Sequence, residues 1–261
     1  MKIVVCLKQV PEDFQFDTEN NTVVRENRKQ ITNPSDLWAM EMALDIKDKT
    51  GAEVVALSMG KPFAASMLKS MAALGADKLY LISDHALAGS DTLATASVLG
   101  RAIENIGNVD LVLCGRRTID GETGQVGPEL AVMLNMPCLT NVSGLEAVSG
   151  SHIVCRRLLE DRYEVFRLLF PCLLSCCDGV TGIVHPRMSG IAGLRRAKET
   201  PVVTMTLADF PGLETFGVKG SPTQVRQTII PQEKTRKCVM WRSLEESVKE
   251  TVDLIRKIET T

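Results

Sequence analysis

Short apolar segments alternate along the first half of the chain with longer segments whose apolar residues recur every three or four positions. The short segments have the length and β-branched residues of buried strands, and the longer ones have the spacing of helices that bury one face. Strands and helices that alternate in this way form a parallel sheet with helices on both faces. We predict strands over residues 2–10, 52–58, 77–83 and 111–114, and helices that follow 33–36, span 64–74 and 92–106, and begin at 129.

The second half of the chain has a different pattern. Alternating runs at 151–159 and 163–169 predict an antiparallel hairpin, because they flank a short polar turn. Further patterns predict short strands at 136–140 and 171–177 and a small hairpin over 17–28, around Asn20-Asn21.

Residues beyond 203 have little hydrophobic periodicity until a Ser-x-x-Glu capping box at Ser243 begins a helix that continues to about Ile258. That helix has one apolar face, which must dock on its own domain or on a partner. We therefore predict an α/β domain over 1–202 and an extended arm with a terminal helix over 203–261.

Residues 111–129, LVLCGRRTIDGETGQVGPE, contain the motif that points to a ligand. A predicted strand ends at Gly115, three glycines spaced three apart follow, and Pro128 lies where the first turn of a helix accepts proline. Backbone N–H groups converge where a strand leads through glycines into a helix, so such a loop can hold a phosphate. The spacing matches neither GxGxxG nor a Walker A loop, and it fits nucleotide binding and an ordinary strand-to-helix turn equally well.

Residues 185–198, HPRMSGIAGLRRAK, have no regular pattern and place Met188, Ile191 and Leu194 among arginines. Apolar residues bordered by basic ones on a loop suggest a protein contact. A solvated linker with a short helix fits the same residues, so the pattern leaves both interpretations open.

Composition excludes several classes of protein. The 261 residues are 44% hydrophobic and 24% charged with a net charge of −2, which is typical of a globular chain with a sizeable core. Near-neutral charge and 4% aromatic residues argue against nucleic-acid binding. The N-terminus lacks the pattern of a signal peptide, and no apolar run reaches the roughly 18 residues of a membrane span.

The cysteines predict thiols and no metal site. No C-x-x-C pair is present, and a reduced thiol within an apolar run behaves as a small hydrophobic group. Free thiols without an export signal point to the cytoplasm. The cysteines within apolar runs are Cys6, Cys114, Cys172, Cys176 and Cys177.

Five stretches together make the chain resemble the β subunit of electron transfer flavoproteins over essentially its full length. Their order and spacing are highly specific, although each stretch is weak alone. The resemblance implies a Rossmann-like, doubly wound, mostly parallel sheet, a heterodimer with an α subunit, and an adenine nucleotide at the carboxyl edge of the sheet. The stretches are VCLKQVP, ITNPSDLWAMEMAL, VVALSMG, DLVLCGRRTIDGETGQVGP and HPRMSGIAGLRRAK.

By motif position, the resemblance implies cofactor contacts where strands end and helices begin, and it implies no catalytic side chain and no metal ligand. The implied cofactor residues are Cys6, Lys8, Asn33, Pro34, Ser35, Asp36, Met59, Gly60, Gly115, Arg116, Arg117, Thr118, Ile119, Asp120, Gly121, Glu122, Thr123, Gly124, Gln125 and Val126. The resemblance also implies that the loop 187–196 recognises a partner protein, with Ile191 as its hydrophobic anchor. The implied partner-binding residues are Arg187, Met188, Ile191, Leu194, Arg195 and Arg196.

The family divides by what occupies the crevice. Housekeeping β subunits hold AMP, and their complexes carry one FAD in the α subunit. Electron-bifurcating β subunits hold a second FAD, oxidise NADH there, and pass electrons to ferredoxin or flavodoxin and, through the α-subunit FAD, to a flavin dehydrogenase of the acyl-CoA, lactate or other type. The loop IDGETGQVGP, whose Gly124 and Gly127 leave room for a pyrophosphate, and the segment 220–226 resemble the bifurcating type. We therefore expect FAD, with AMP as the alternative.

Overall fold

The computed structural model describes residues 1–13, 16–17, 22–23, 28–181, 185–227, 229, 240–241 and 243–259. The chain divides into two compact units, Met1–Thr228 and Ile229–Thr261. The sequence pattern places a boundary at 202, whereas residues 202–205 form a strand of the first unit and Phe210 is buried in its core.

The first unit is built on a nine-stranded sheet, and two small ribbons lie beside it. The strands are β1 (Lys2–Cys6), β2 (Gln9–Pro11), β3 (Phe16–Asp17), β4 (Thr22–Val23), β5 (Gln30–Thr32), β6 (Glu53–Met59), β7 (Lys78–Ile82), β8 (Leu111–Gly115), β9 (Cys138–Val148), β10 (His152–Leu158), β11 (Tyr163–Leu169), β12 (Cys172–Thr181) and β13 (Val202–Met205). The order in the sheet is β11-β10-β9-β12-β8-β1-β6-β7-β13. Strand β10 is antiparallel to both of its neighbours, and the other eight strands share one direction.

Helices cover both faces of this sheet, as a doubly wound fold requires. The helices are α1 (Pro34–Thr50), α2 (Ala65–Leu74), α3 (Thr92–Ile106), α4 (Val126–Met133), α5 (Ile191–Glu199) and α6 (Leu244–Glu259). Side chains of β1 alternate between the faces: Ile3 and Val5 pack with α1 and α2, while Val4 and Cys6 pack with α3 and α4. The predicted α/β class, the mostly parallel sheet and the antiparallel hairpin of β10 and β11 are confirmed.

The first predicted strand, 2–10, is wrong in its length. Strand β1 ends at Cys6, and β2 instead pairs antiparallel with β5 in a separate ribbon. The cause is at Lys8, whose backbone N–H donates to the side chain of Asp36 and not to a neighbouring strand. The small predicted hairpin is present as the antiparallel pair of β3 and β4, while Asn20-Asn21 lie outside the described residues.

Helix α4 begins at Val126, three residues before the predicted start at Glu129. Gly127 is consequently inside the first turn and buried, and a Cβ there would lie 2.8 Å from Cys114 Sγ. This glycine lets the helix pack closely on β8, so the expected contribution of Gly127 to space for a pyrophosphate is wrong.

Candidate functional site

The strand order reverses between β1 and β8. From β1 the chain proceeds to β6 and β7 on one side, and it then crosses through α3 to β8 on the other side. Both strands run in the same direction and end side by side, with Cys6 opposite Cys114. In open α/β sheets, the crevice outside the carboxyl ends of two such strands is where ligands bind.

The residue before α1, Asn33, holds the beginning of the glycine loop. Its fully buried side chain donates from Nδ2 to the carbonyl of Arg117 at 2.9 Å, and its Oδ1 accepts the N–H of Ile119 at 3.1 Å. One amide thus satisfies a carbonyl and an N–H on the same side of the loop. The family resemblance implied Asn33 as a cofactor residue; in the structure its side chain holds the loop and makes no capping hydrogen bond to α1.

Asp36, in the first turn of α1, joins the ends of β1 and β8. Its carboxylate accepts the N–H of Lys8 at 2.7 Å and the N–H of Gly115 at 3.1 Å, and the side chain is buried. Burial raises the pKa of this carboxyl to about 7, although these hydrogen bonds, one with Asn33 and the Lys8 charge all act to lower it. Burial, and secondarily the nearby Asp36, raises the pKa of the Cys6 thiol to about 12, so Cys6 is a neutral packing residue at physiological pH.

Lys8 and Asp120 form an ion pair across the crevice. Lys8 Nζ lies 2.7 Å from Asp120 Oδ1, and the Asp120 side chain is fully buried whereas that of Lys8 is 40% exposed. The ammonium therefore anchors the middle of the glycine loop and keeps part of its surface toward solvent. This pair was not predicted, because its residues are 112 positions apart in the chain.

The glycine loop between β8 and α4 has an exposed tip at 121–125. Glu122 and Gly124 have positive φ values of 56° and 64°, and the N–H of Glu122 donates to the carbonyl of Thr118 at 2.8 Å. An exposed ion pair of 2.5 Å joins Arg117 and Glu122 across the tip. Within the described residues, the backbone N–H groups of Thr123, Gly124, Gln125 and Val126 donate to no acceptor.

The position of these four N–H groups suits an anion such as a nucleotide phosphate. They precede or begin α4, where the helix dipole favours an anion, and Gly124 offers a backbone conformation that L side chains rarely adopt. The loop therefore fits a phosphate group. Lys8 adds a partly exposed positive charge at the same edge.

A strap formed by residues 217–223 lies against the start of α3. Ser90 Oγ accepts the N–H of Gly217 at 2.9 Å, and the N–H of Asp91 donates to Ser221 Oγ at 2.8 Å. One carboxylate oxygen of Asp91 caps α3 by accepting the N–H of Ala94, and the other accepts the N–H and the hydroxyl of Thr223 at 2.9 and 2.7 Å. Burial opposes the ionisation of Asp91, but these hydrogen bonds outweigh it and lower its pKa.

The strap reaches the carboxyl edge next to the glycine loop. Thr92, which follows Asp91, donates to Glu129 Oε1 of α4 at 3.1 Å and lies 3.4 Å from Gln125 Oε1. The strap is thus bound at the start of α3, and the first residue of α3 in turn contacts Gln125 and Glu129 at the start of α4. The sequence marked 220–226 only through the family resemblance, and no local pattern showed that Asp91 holds it.

Several remaining candidate residues have structural partners in place of an open face. Ser35 is buried and donates to Asp178 of β12 at 2.7 Å, and the N–H of Arg116 donates to the carbonyl of Cys176 at 2.7 Å. Met59 is the last residue of β6, and the N–H of Gly60, which follows it, donates to the carbonyl of Ile82. In the described part of the chain no hydrogen bond joins Met59 or Gly60 to the glycine loop.

The segment expected as an irregular loop, 187–196, contains the start of helix α5. Met188, Ile191 and Leu194 are exposed by 94%, 74% and 53%, so the apolar residues do face outward. Two of the arginines hold the segment on the domain: Arg187 bonds Glu41 and Asp48 of α1 at 2.8–3.1 Å, and Arg196 donates to the carbonyl of Ala72. Of the three arginines expected to guide a partner, these two therefore have an intramolecular role.

Helix α5 also depends on Gly193, which packs against the carbonyl of Ala73 so closely that a Cβ would overlap it. Gly193→Ala should lower the free energy of unfolding by roughly 1–3 kcal/mol, because α5 must shift away from α2. Gly190→Ala is the control, since no atom lies within 4 Å of its Cβ position, and we expect a loss below about 1 kcal/mol. Urea unfolding measures both values, and equal losses would show that the close approach is not what matters.

Seven cysteines in the described ranges are free and all but Cys138 are buried, which confirms the buried thiols expected from the sequence. The described residues contain no group of three or more histidine, cysteine, aspartate or glutamate side chains that could hold a metal ion. None of the helices in those ranges is long and apolar enough to cross a membrane.

Comparison with known proteins places this geometry in context. A family model described as "Electron transfer flavoprotein domain" matches residues 21–210. The chain is 41% identical, over 90% of its length and 89% of the relative's, to the caffeyl-CoA reductase-Etf complex subunit CarD of Acetobacterium woodii. Over 97% of both chains, it is 38% identical to the acryloyl-CoA reductase electron transfer subunit gamma of Anaerotignum propionicum. Over the same share, it is 37% identical to the electron transfer flavoprotein subunit beta of Thermoanaerobacterium thermosaccharolyticum.

Proposed function

The chain belongs to the electron transfer flavoprotein family, as a member of the β-subunit type, and from this we propose that it binds FAD at the carboxyl edge of its sheet as part of an electron-bifurcating complex. The observation that carries the proposal is the exposed glycine loop, whose N–H groups at 123–126 have no acceptor within the described residues. Phosphate oxygens are the acceptors that such a loop before a helix fits.

The strap supports a dinucleotide over AMP. Asp91 holds the strap by hydrogen bonds to Thr223, close to the N-terminus of α4. Residues 224–226, which come directly after the strap, therefore begin next to the glycine loop. A ligand that extends beyond one phosphate would lie between the glycine loop on one side and residues 224–226 on the other. A mononucleotide needs only the glycine loop and the ends of β1 and β8.

When bound, FAD would supply the chemistry, which is acceptance of a hydride from NADH and delivery of single electrons toward ferredoxin or flavodoxin and, through the flavin of an α subunit, toward a dehydrogenase. The residues of this chain would bind the FAD and orient it. The N–H groups of the loop would hold a phosphate and Lys8 would contribute positive charge, while Asn33 and Asp120 keep the loop in position. No side chain is assigned a catalytic role.

Two surfaces support the proposed partners. Helix α6 has a large exposed apolar face that includes Leu244, Val248, Val252 and Ile255, which suits docking on an α subunit. The outward Met188, Ile191 and Leu194 of the α5 segment suit a flavin dehydrogenase. The names of two relatives refer to caffeyl-CoA reductase and acryloyl-CoA reductase, so a dehydrogenase of the acyl-CoA type is favoured over the lactate type.

The cofactor content of the purified complex tests the proposed function. The chain is produced together with an α subunit, and its non-covalent nucleotides are released and quantified by chromatography. We expect two FAD molecules per heterodimer and oxidation of NADH by an artificial dye. One FAD together with one AMP would show instead a housekeeping β subunit whose nucleotide is structural.

Ile191 should be the anchor of the dehydrogenase contact. Ile191→Ala should weaken binding to the dehydrogenase by roughly 1–3 kcal/mol, because a buried aliphatic anchor loses that much on truncation. Flavin content and dye reduction should stay unchanged, since α5 packs on α2, away from the glycine loop. Val203→Ala, on the edge strand β13, is the control for loss of an exposed apolar side chain. A parallel fall in dye reduction would mean that the segment supports the flavin site.

A further inference from the structure

The backbone pairing between β1 and β8 stops at Cys6 and Cys114. Beyond it the N–H of Leu7 donates to Leu57 of β6, whereas the N–H groups of Lys8 and Gly115 both donate to the side chain of Asp36. We infer that Asp36 is the positioning residue of the crevice, because its single carboxylate holds the N–H groups of Lys8 and Gly115 and so sets the spacing of the two strand ends. The inference rests on the proposed function where it concerns FAD. It adds a role that differs from ligand contact, since both carboxylate oxygens are already used inside the protein.

Gly115 provides an independent sign of this role. A Cβ at Gly115 would overlap Asp36 Oδ1 and would lie 2.7–2.8 Å from the backbone of Ser35 and Asp36. Position 115 therefore has room for glycine alone because the first turn of α1 occupies that space. Asp36 and Gly115 are thus complementary, because the Asp36 carboxylate occupies the space that a side chain at position 115 would need.

The other bonds of the same turn act on the same loop. Asn33, three residues before Asp36, holds Arg117 and Ile119, and Lys8 holds Asp120 through its ammonium. The first turn of α1 and the end of β1 thus restrain the loop at four points before its exposed tip. Asp36 is the member that ties both strand ends together, so its loss should free Lys8 and Gly115 at once.

The carboxylate must be ionised to accept both N–H groups freely. The titratable groups that face it are the Lys8 ammonium at the end of β1 and the thiols of Cys6, Cys114 and Cys176 on β1, β8 and β12. Burial raises the pKa of all three thiols, so they stay neutral at physiological pH. Near neutral pH, the charge at this point therefore changes through the ionisation of Asp36.

The first test does not depend on any ligand. In the isotope-labelled full chain without added nucleotide, the amide resonances of Lys8 and Gly115 are followed by NMR as the pH is varied across neutrality. We expect both amides to shift with one shared midpoint, and we expect Asp36→Asn to remove this titration. Amides that titrate with different midpoints, or not at all, would overturn the inference.

The second test measures FAD affinity of the full chain as a function of pH. Wild type should bind more tightly above the Asp36 midpoint than below it, and Asp36→Asn should bind about tenfold more weakly with little pH dependence. Asp45→Asn, which removes a surface carboxylate of α1 paired with Lys49, should behave as wild type. Affinity that rises toward low pH would contradict the positioning role. If wild type binds no FAD at any pH, the proposed function fails, while the amide titration still decides the role of Asp36.

Discussion

Replacing Gly124 by valine is expected to remove the nucleotide from the carboxyl edge of the sheet while the domain stays folded. Gly124 has a φ of 64°, which a β-branched L residue adopts only at a considerable cost in free energy. A Cβ at this position would also lie 3.3 Å from the carbonyl oxygen of Arg116, so the loop must shift to accommodate it. Any shift turns the N–H groups of 123–126 away from a shared acceptor.

The measurement is the FAD content of the Gly124→Val heterodimer, which should fall from two to one. Gly212→Val is the matched control, because Gly212 also has a positive φ, 76°, but has open space around its Cβ position and lies outside the glycine loop. The control should be strained to a similar degree and keep both flavins. If Gly124→Val retains both flavins at full occupancy, the loop is not the phosphate site.

The second large effect concerns stability and pH. Burial raises the pKa of Asp36 from 3.8 to about 7, so between these values the folded chain binds a proton that the unfolded chain has released. The contribution of Asp36 to stability is therefore fully present below the unfolded pKa and is lost as the pH rises through the folded pKa. The whole change corresponds to ~4 kcal/mol. The native chain thus holds a costly ionised carboxylate at the crevice near neutral pH.

Urea unfolding of wild type and Asp36→Asn over a range from about pH 5 to about pH 8 checks this expectation. The free energy of unfolding of wild type should fall relative to that of the variant as the pH rises, because asparagine cannot release a proton. Comparing the difference between the two proteins cancels the titration of all other groups. Parallel curves for the two proteins would mean that Asp36 has no unusual pKa in the folded chain.

The predictions that succeeded depend on local patterns. Each central strand is buried on both faces, so it is an apolar run that stands out in the sequence, as at 111–114. The spacing of apolar residues identified α3 in the same way. The sequence also singled out the glycine loop as a candidate phosphate site, because glycines between a strand and a helix are consecutive in the chain. The exact starts of elements were less certain, as α4 shows, because the first turn of a helix contains residues that also suit a loop.

Glycine spacing could not say which glycine served which purpose. Gly124 and Gly127 are equivalent in the motif, yet Gly124 is on the exposed tip with a positive φ and Gly127 is buried against Cys114. The difference depends on what packs behind each residue. The same holds for the arginines of the α5 segment, since only the folded chain brings Arg187 to Glu41 and Arg196 to Ala72.

The sequence by itself determined the fold class and singled out the glycine loop as the candidate phosphate site, because periodicity and glycine placement act over a few neighbouring residues. Only the tertiary structure decided how that loop is held. Asp36 meets Gly115, Lys8 meets Asp120, and Asp91 meets Thr223 across 79, 112 and 132 positions of the chain. Such hydrogen bonds need particular side chains to be brought together by the sheet, and a polar residue in a loop or a first helical turn has no local pattern that names its distant partner.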